Sequence, residues 1–283
     1  DQTANPQDDF VFLIDGYTMT PSYLLSGSRS TKQLYIHHTA MEELPGIPQE
    51  AVEEAECISQ LEGVLKDAST ESLSPNTVRA LLLLKLNELA RDTTQVSKET
   101  VLLLKAMYEK DILPVVPATT KRTSNGNTRH IAAIGRAVYG HGEVMYNGKK
   151  LATADVFKEL GLSASKPMQP EWKTFLEGNE MNVITACKAN EVIFGCFNAL
   201  LLGVVIGLSS AGMLKDGIDG GVLRQFTSKG PGKVYNMFKR LNLQESTETH
   251  EVKTNPLVYD VIFSFGRVLD VLMVNRELLK TEV

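Results

Sequence analysis

The chain has 283 residues, of which 43% are hydrophobic and 22% charged, a composition typical of a globular protein and not of a disordered one. The formal net charge of -5 disfavours a general nucleic-acid binder, which usually carries a basic surplus. Three cysteines, Cys57, Cys187 and Cys196, are an odd number without metal-ligand spacing. We therefore expect no disulfide framework and favour a reducing compartment.

The first residues do not resemble a secretory signal, because no basic region precedes an apolar core. The sequence begins at Asp1 and not at Met, so we leave open that a targeting segment was removed. The compartment is accordingly unknown: both the cytoplasm and an organelle fit.

The N-terminal region combines a polar stretch with a small helical part. Residues 1–10 are polar and are expected to form a loose arm. The apolar run 11–14 predicts a strand or an anchor into the core. Hydrophobic residues at helical spacing predict a helix over 49–66. We group this region as residues 1–73 and treat residues 74–283 as a helical domain.

Capping and turn residues predict the next elements. Ser74 is a plausible N-cap with Pro75 at the first helical position, which predicts a helix over 77–91. Ser97 is expected to cap another helix that ends near residue 110. Alternation over 143–151 around Asn147-Gly148 predicts a β-hairpin with a type I′ turn.

The rest of the chain is expected to be helical. Residues 153–160 predict a short helix that ends at Gly161, a natural C-cap. Long helices are predicted over 170–214, 222–241 and 255–280. The predicted fold class is therefore mainly α, a bundle of long helices with one small β-hairpin.

Three segments occur in order and carry a family resemblance. They read SPNTVRA at residues 74–80, DILPVVP at 111–117 and GHGEV at 140–144. This series resembles the histidine and aromatic amino acid ammonia-lyases, and the similarity extends over about residues 74–275. The resemblance implies the central helical part of the ammonia-lyase fold.

In that family an Ala-Ser-Gly triplet cyclises into the electrophile that attacks the substrate amino acid, and here the triplet falls on Ser124, Asn125 and Gly126. The middle residue must lose water to form the reactive alkene, but the Asn125 side chain has no hydroxyl. A frame shifted by one position puts Ser124 in the middle and requires Asn125 to supply the ring-closing nitrogen, where its side chain crowds a turn suited to glycine.

Other family motifs are altered as well. The "N-G-T-Q" motif, which helps to position electrophile and substrate, matches Glu177, Gly178, Asn179 and Glu180, so only the glycine is kept. The tyrosine loop that carries a catalytic base has no counterpart before residue 74. The segment with a second tyrosine and a carboxylate-binding arginine corresponds to residues 250–256, which have neither.

Residues 192–214 contain no charged side chain and include a GxxxG spacing from Gly203 to Gly207. Such a length could span a bilayer of ~30 Å hydrocarbon thickness. The alternative, which we favour, is a central helix buried within a large bundle or oligomer, since Asn198, Ser209 and Ser210 interrupt the apolar run. This interpretation implies oligomerisation.

Five basic side chains surround the degenerate electrophile loop and are the candidate anion-binding residues: Lys121, Arg122, Arg129, His130 and Arg136. They could hold a phosphate, an acidic partner or RNA. The alternative, which we favour, is a solvated loop whose charges drifted after catalysis was lost. A nucleotide loop over 229–233 is disfavoured, because the G-x-x-x-x-G-K spacing is incomplete.

The sequence therefore predicts a catalytically inactive, shortened relative of the ammonia-lyases that serves as a structural or scaffolding subunit. Its partners would be copies of itself or a larger assembly; nucleic acid is a weaker alternative and a membrane is disfavoured. No catalytic residue, cofactor or metal is expected. The first alternative is an active ammonia-lyase or aminomutase acting on histidine or an aromatic amino acid, and the second is an anion- or RNA-contacting subunit.

Overall fold

The computed structural model describes residues 11–37, 50–51, 53–91, 96–169, 171–212, 228–241 and 256–282. The chain forms two compact units. The first comprises residues 1–187 with 282–283, and the second comprises residues 188–281. The predicted loose arm over 1–10 and most of the segment 250–256 lie outside the described residues. The sequence-based boundary after residue 73 stays a prediction.

Helices make up most of the described chain, as predicted. The first unit contains α1 Pro21–Arg29, α2 Glu54–Leu65, α3 Pro75–Arg91, α4 Lys98–Glu109, α5 Ile131–Val138, α6 Thr153–Leu160 and a short 3₁₀ helix, Glu171–Phe175. Helix α7, Glu180–Ser210, starts in the first unit and continues into the second, which also contains α8 Lys229–Leu241 and α9 Pro256–Glu282.

The strands are short. β1 Phe12–Ile14 pairs in parallel with β2 Leu34–Ile36, and β3 Glu50–Ala51 pairs antiparallel with β7 Met168–Gln169. β4 Leu113–Pro114 pairs with β5 Glu143–Tyr146, which forms the predicted hairpin with β6 Lys149–Ala152. Both turn residues of the hairpin, Asn147 and Gly148, have positive φ angles of 50° and 72°, as a type I′ turn requires.

Helix α3 is the centre of the first unit. It starts at Pro75, directly after Ser74, whose backbone carbonyl accepts from the amides of Thr77 and Val78. Its apolar residues are buried around most of the helix circumference, as is the charged side chain of Lys85. A charged side chain on a helix buried in this way needs a partner of opposite charge from the surrounding fold. The burial of Lys85 therefore indicates a nearby acidic partner, which is described in the next subsection.

Two predicted helices begin later than expected. The helix predicted over 49–66 begins at Glu54, because Glu50 and Ala51 pair with β7 instead. The helix predicted over 170–214 is interrupted: the 3₁₀ turn ends at Phe175, and α7 begins at Glu180. Gly178 lies between the two helices and exchanges backbone hydrogen bonds with Thr128. This pairing requires an extended backbone, so the helix is interrupted there.

The second unit has its own apolar core. It is built from residues that recur at intervals of three, four or seven on each helix: Phe197, Leu201, Val205 and Leu208 of α7, Val234 and Phe238 of α8, and Val258, Ile262, Leu269 and Leu272 of α9. Helices α8 and α9 cross closely where Gly230 meets Gly266. A Cβ placed on Gly230 would lie 1.9 Å from the Gly266 carbonyl oxygen, so only glycine fits.

Candidate functional site

The structure brings the two degenerate motifs of the sequence together. The amide of Thr128 donates to the carbonyl of Gly178, and the amide of Gly178 donates to the carbonyl of Thr128, both at 3.0 Å. The Asn182 side-chain amide, on α7, donates to the Gly126 carbonyl at 3.1 Å. The loop with residues 124–126 and the segment with residues 177–179 are therefore directly linked.

The loop itself is a tight turn. The amide of Gly126 donates to the Thr123 carbonyl at 3.0 Å, and Gly126 adopts a φ angle of 81° that favours glycine. Ser124 and Asn125 are exposed. The turn therefore depends on glycine at 126, and the side chain of Asn125 presents a carboxamide to solvent.

A buried ion pair lies beside these motifs. Lys85 of α3 is 1% exposed. Its Nζ lies 3.4 Å from Glu180 Oε1 and donates to the Thr174 carbonyl at 2.9 Å. Glu180 Oε1 is close enough for ionic attraction but has no well-formed hydrogen bond among the described residues. The attraction between the two charges therefore has to offset the cost of burying them.

Glu88 and Gly178 complete the surroundings of the ion pair. The Glu88 carboxylate accepts from Lys85 Nζ at 3.2 Å. Desolvation raises the pKa of Glu88, and the nearby Glu180 adds to this effect, whereas Lys85 opposes it. A Cβ on Gly178 would lie 1.9 Å from Glu180 Oε2, so the glycine leaves room for this carboxylate. The glycine kept from the family motif therefore has a packing role in this chain.

These residues border a hollow of about 350 Å³. Apolar Leu84 and Val183 contribute to its wall, and the polar lining residues include Glu88, Asn127, Glu177, Gly178, Asn179 and Glu180. The polar groups of the lining are therefore mostly carboxylates and side-chain amides. In the part of the chain that the structure describes, no group of three or more His, Cys, Asp or Glu residues is arranged to hold a metal ion. The hollow suits a cationic or amide-bearing group better than an anion.

The five basic residues differ in their surroundings. Lys121 pairs with Asp67, and Arg122 is exposed. His130 is buried against the Ala118 carbonyl, at 3.3 Å, and burial lowers its pKa, so it adds little positive charge near neutral pH. Arg136 lines a separate hollow that none of the other four borders. Arg122 lies close enough to His130 to help lower its pKa, and Arg129 is half-buried, so an anion site formed by these residues stays a prediction.

The segment 229–233 starts helix α8, and the amide of Gly230 donates to Asp270 Oδ1 of α9 at 2.8 Å. An acidic side chain of the same unit thus occupies the helix start where a phosphate would bind. This contact argues against a nucleotide loop there, as the incomplete motif predicts.

Sequence reasoning placed Glu180 in the altered motif but missed Lys85 and the pairing of the two. A signal was present, since Lys85 is a single charge within the apolar run of residues 81–86. Such a charge requires a buried partner. Its partner is distant in the sequence and could not be identified without the fold.

Comparisons with known proteins define the class. A sequence model described as aromatic amino acid lyase matches residues 35–203, more than half of the chain. The chain belongs to the aromatic amino acid lyase family. The fold agrees, because the most similar solved structures include lyases and aminomutases of this type.

Three of these structures define the extent of the similarity. Phenylalanine aminomutase from Pantoea agglomerans superposes with a TM-score of 0.72 at 16% identity, over 96% of this chain and 62% of that one. Histidine ammonia-lyase from Trypanosoma cruzi gives 0.70 at 16% identity, over 95% and 56%. Phenylalanine ammonia-lyase from Rhodosporidium toruloides gives 0.68 at 16% identity, over 96% and 46%. The chain thus spans about three fifths or less of these proteins.

Proposed function

We propose that this chain is a catalytically inactive member of the aromatic amino acid lyase family that serves as a structural subunit of an oligomer or larger complex. Two separate features support the proposal. The loop at residues 124–126 lacks the group needed to build the electrophile, and the second unit has a large apolar surface. The surface is the observation on which the structural role mainly depends.

The inactive half of the proposal depends on Asn125. A reactive alkene at this position requires a leaving hydroxyl, and a carboxamide on Cβ supplies none. The shifted frame would make Asn125 provide the ring nitrogen, but the positive φ angle of this turn lies at Gly126. Glu177 and Asn179 replace family residues that position the electrophile and substrate. The altered motif and the altered loop lie side by side, so both changes affect one site.

The structural half depends on α7. The most apolar 18-residue stretch of this helix is only 22% buried within the chain. Its exposed large apolar residues are Val192, Ile193, Leu200, Leu202 and Ile206. Helix α9 has a second exposed set: Leu257, Phe263, Val268, Val271, Val274 and Leu278. Soluble proteins rarely leave contiguous apolar surfaces of this kind in water, so we infer that protein covers them.

By length and composition α7 could also cross a membrane. We favour protein contact for two reasons. Its first turns, including Val183, Ile184 and Cys187, pack into the core of the first unit. Farther along, Phe197 and Leu201 pack into the core of the second unit. A helix used by two protein cores is better explained as a bundle element than as an isolated span.

Native mass spectrometry and light scattering of the full chain test the structural role. We expect wild-type protein to form a defined oligomer or to co-purify with a stoichiometric partner. Leu200→Lys combined with Ile206→Lys should release monomer, because two charges would be placed in a dry interface. The matched control is Leu102→Lys on α4, an exposed leucine in the first unit, which should leave the mass of the assembly unchanged.

A wild-type chain that is monomeric and free of partners at micromolar concentration would contradict the structural role. Partition of wild-type protein into detergent or lipid vesicles, lost in the double variant, would favour the membrane interpretation instead.

A further inference from the structure

Arg136 is a half-buried cation that makes no ion pair with any described residue. It lies on α5, and the buried Nε atom has no hydrogen-bond acceptor. In the part of the chain that the structure describes, no ion pair or hydrogen bond of the Arg136 side chain is present. Two other shielded basic side chains are paired: Arg79 with Asp111, and Lys85 with Glu180. A buried N–H group without an acceptor is costly, which points to a missing partner.

The backbone around Arg136 explains its position but does not satisfy it. Gly142, with a φ angle of 77°, lies against the guanidinium, and a Cβ there would be 2.5 Å from Arg136 Nε. The Gly142 carbonyl is already occupied, since it accepts from the amide and the hydroxyl of Thr153 at 3.0 and 3.1 Å. The glycine therefore admits the guanidinium without providing its hydrogen bonds.

Arg136 borders a hollow of about 190 Å³ formed with residues 65–72 and 115–117. Three hydroxyl side chains line it: Ser69, Thr70 and Ser72. Ser69 Oγ is used within the protein, since it donates to the Glu71 carbonyl and accepts from the Thr119 amide. The hydroxyls of Thr70 and Ser72 form no hydrogen bond among the described residues. Arg136 and two exposed residues whose hydroxyls are not used within the described chain therefore border the same space.

We propose that Arg136, Thr70 and Ser72 form a binding site for a phosphate group, either free or on a small molecule. A phosphate presents several oxygens to donors from different directions, and arginine recognises it with two parallel N–H donors. The hollow is smaller than the ~300 Å³ typical of pockets for drug-sized ligands, so a compact oxyanion fits better than a cofactor. This site is separate from the degenerate lyase motifs and does not depend on the proposed function.

Glu71 also lines the hollow and makes no ion pair with Arg136. Its carboxylate would repel a bound anion. The site therefore makes an unusual prediction for this residue: Glu71→Gln should tighten phosphate binding several-fold, because it removes the negative charge and keeps the shape. If Glu71 instead served as the counter-ion of Arg136, the same change would leave Arg136 unsatisfied and destabilise the protein.

The test is calorimetric titration of the full chain with inorganic phosphate at constant ionic strength set by chloride. We expect saturable binding with a dissociation constant of about 1 mM or below. Arg136→Gln should weaken binding by at least about tenfold. Arg122→Gln, a change to an exposed arginine of the same basic stretch, is the matched control and should bind like wild type. A parallel titration with glycerol phosphate distinguishes the two sources of the group.

Circular dichroism of each variant checks that it is folded, and Glu71→Gln provides the second readout if Arg136→Gln fails to fold. The proposal is overturned if wild-type protein shows no saturable binding, if Arg122→Gln weakens binding as much as Arg136→Gln, or if Glu71→Gln fails to tighten it. Tighter binding of glycerol phosphate than of inorganic phosphate would identify a phosphorylated small molecule as the ligand, and the reverse order would identify the free ion.

Discussion

Thr128 and Gly178 exchange two backbone hydrogen bonds, each 3.0 Å long between nitrogen and oxygen. This pairing joins the loop that contains Asn125 to the segment that contains Glu177 and Asn179. The two segments that the resemblance assigns to altered family motifs therefore lie side by side. Family membership alone does not imply activity, because activity depends on particular side chains at a site.

The Lys85–Glu180 pair makes the first prediction. Lys85→Met should lower the free energy of unfolding by about 3–5 kcal/mol, because it leaves Glu180 buried without its counter-ion. Denaturant titration of the full chain measures the change. The matched control is Lys105→Met, whose partner Glu109 is 3.7 Å away in a half-exposed pair, and it should cost at most about 1 kcal/mol. Equal costs for the two variants would contradict the structural importance of the buried pair.

The close crossing of α8 and α9 makes the second prediction. Gly230→Ala should lower the free energy of unfolding of the second unit by about 1–3 kcal/mol, because its Cβ would meet the Gly266 backbone. Gly232→Ala, in the same helix, is the matched control, since a Cβ there has nothing within 4 Å. That variant should be neutral or slightly stabilising. Scanning calorimetry that finds Gly230→Ala as stable as Gly232→Ala would exclude the close contact.

His130 makes a prediction about pH. Burial lowers its pKa in the folded chain below the ordinary value of about 6.5. The unfolded chain therefore binds a proton that the folded chain rejects, and stability is lost as the pH falls below about 6.5. His130→Asn should remove the part of the stability loss at acidic pH that comes from this histidine. His141→Asn, which changes an exposed histidine paired with Glu54, should keep it; unfolding curves collected across this pH range compare the three proteins.

Local sequence signals predicted much of the fold. Ser74 with Pro75 indicated the start of α3, Asn147-Gly148 indicated the hairpin turn, and Gly161 ends α6 with a φ angle of 64°. Each of these features depends on a few neighbouring residues. The pairs β1–β2 and β3–β7 were not predicted as sheets, because they are two or three residues long and depend on partners distant in the chain. Propensity carries little information for such pairings.

The candidate site was predicted less completely. The positions of Ser124, Asn125, Gly126 and residues 177–179 followed from the resemblance, and the structure places the two segments together. Lys85 and its partner are far apart in sequence, so only the fold relates them. Arg136 was grouped with Lys121 and Arg122 by sequence alone, and the hollow that it borders has neither of them in its lining. The common anion site of the five basic residues stays a prediction.

The most direct test of the central claim combines intact-mass measurement with an ammonia-release assay on the pure full chain. If Asn125 prevents formation of the electrophile, the mass will equal that of the unmodified sequence, and histidine, phenylalanine and tyrosine will release no ammonia. A mass lower by two water molecules, together with ammonia from any of these amino acids, would contradict the account.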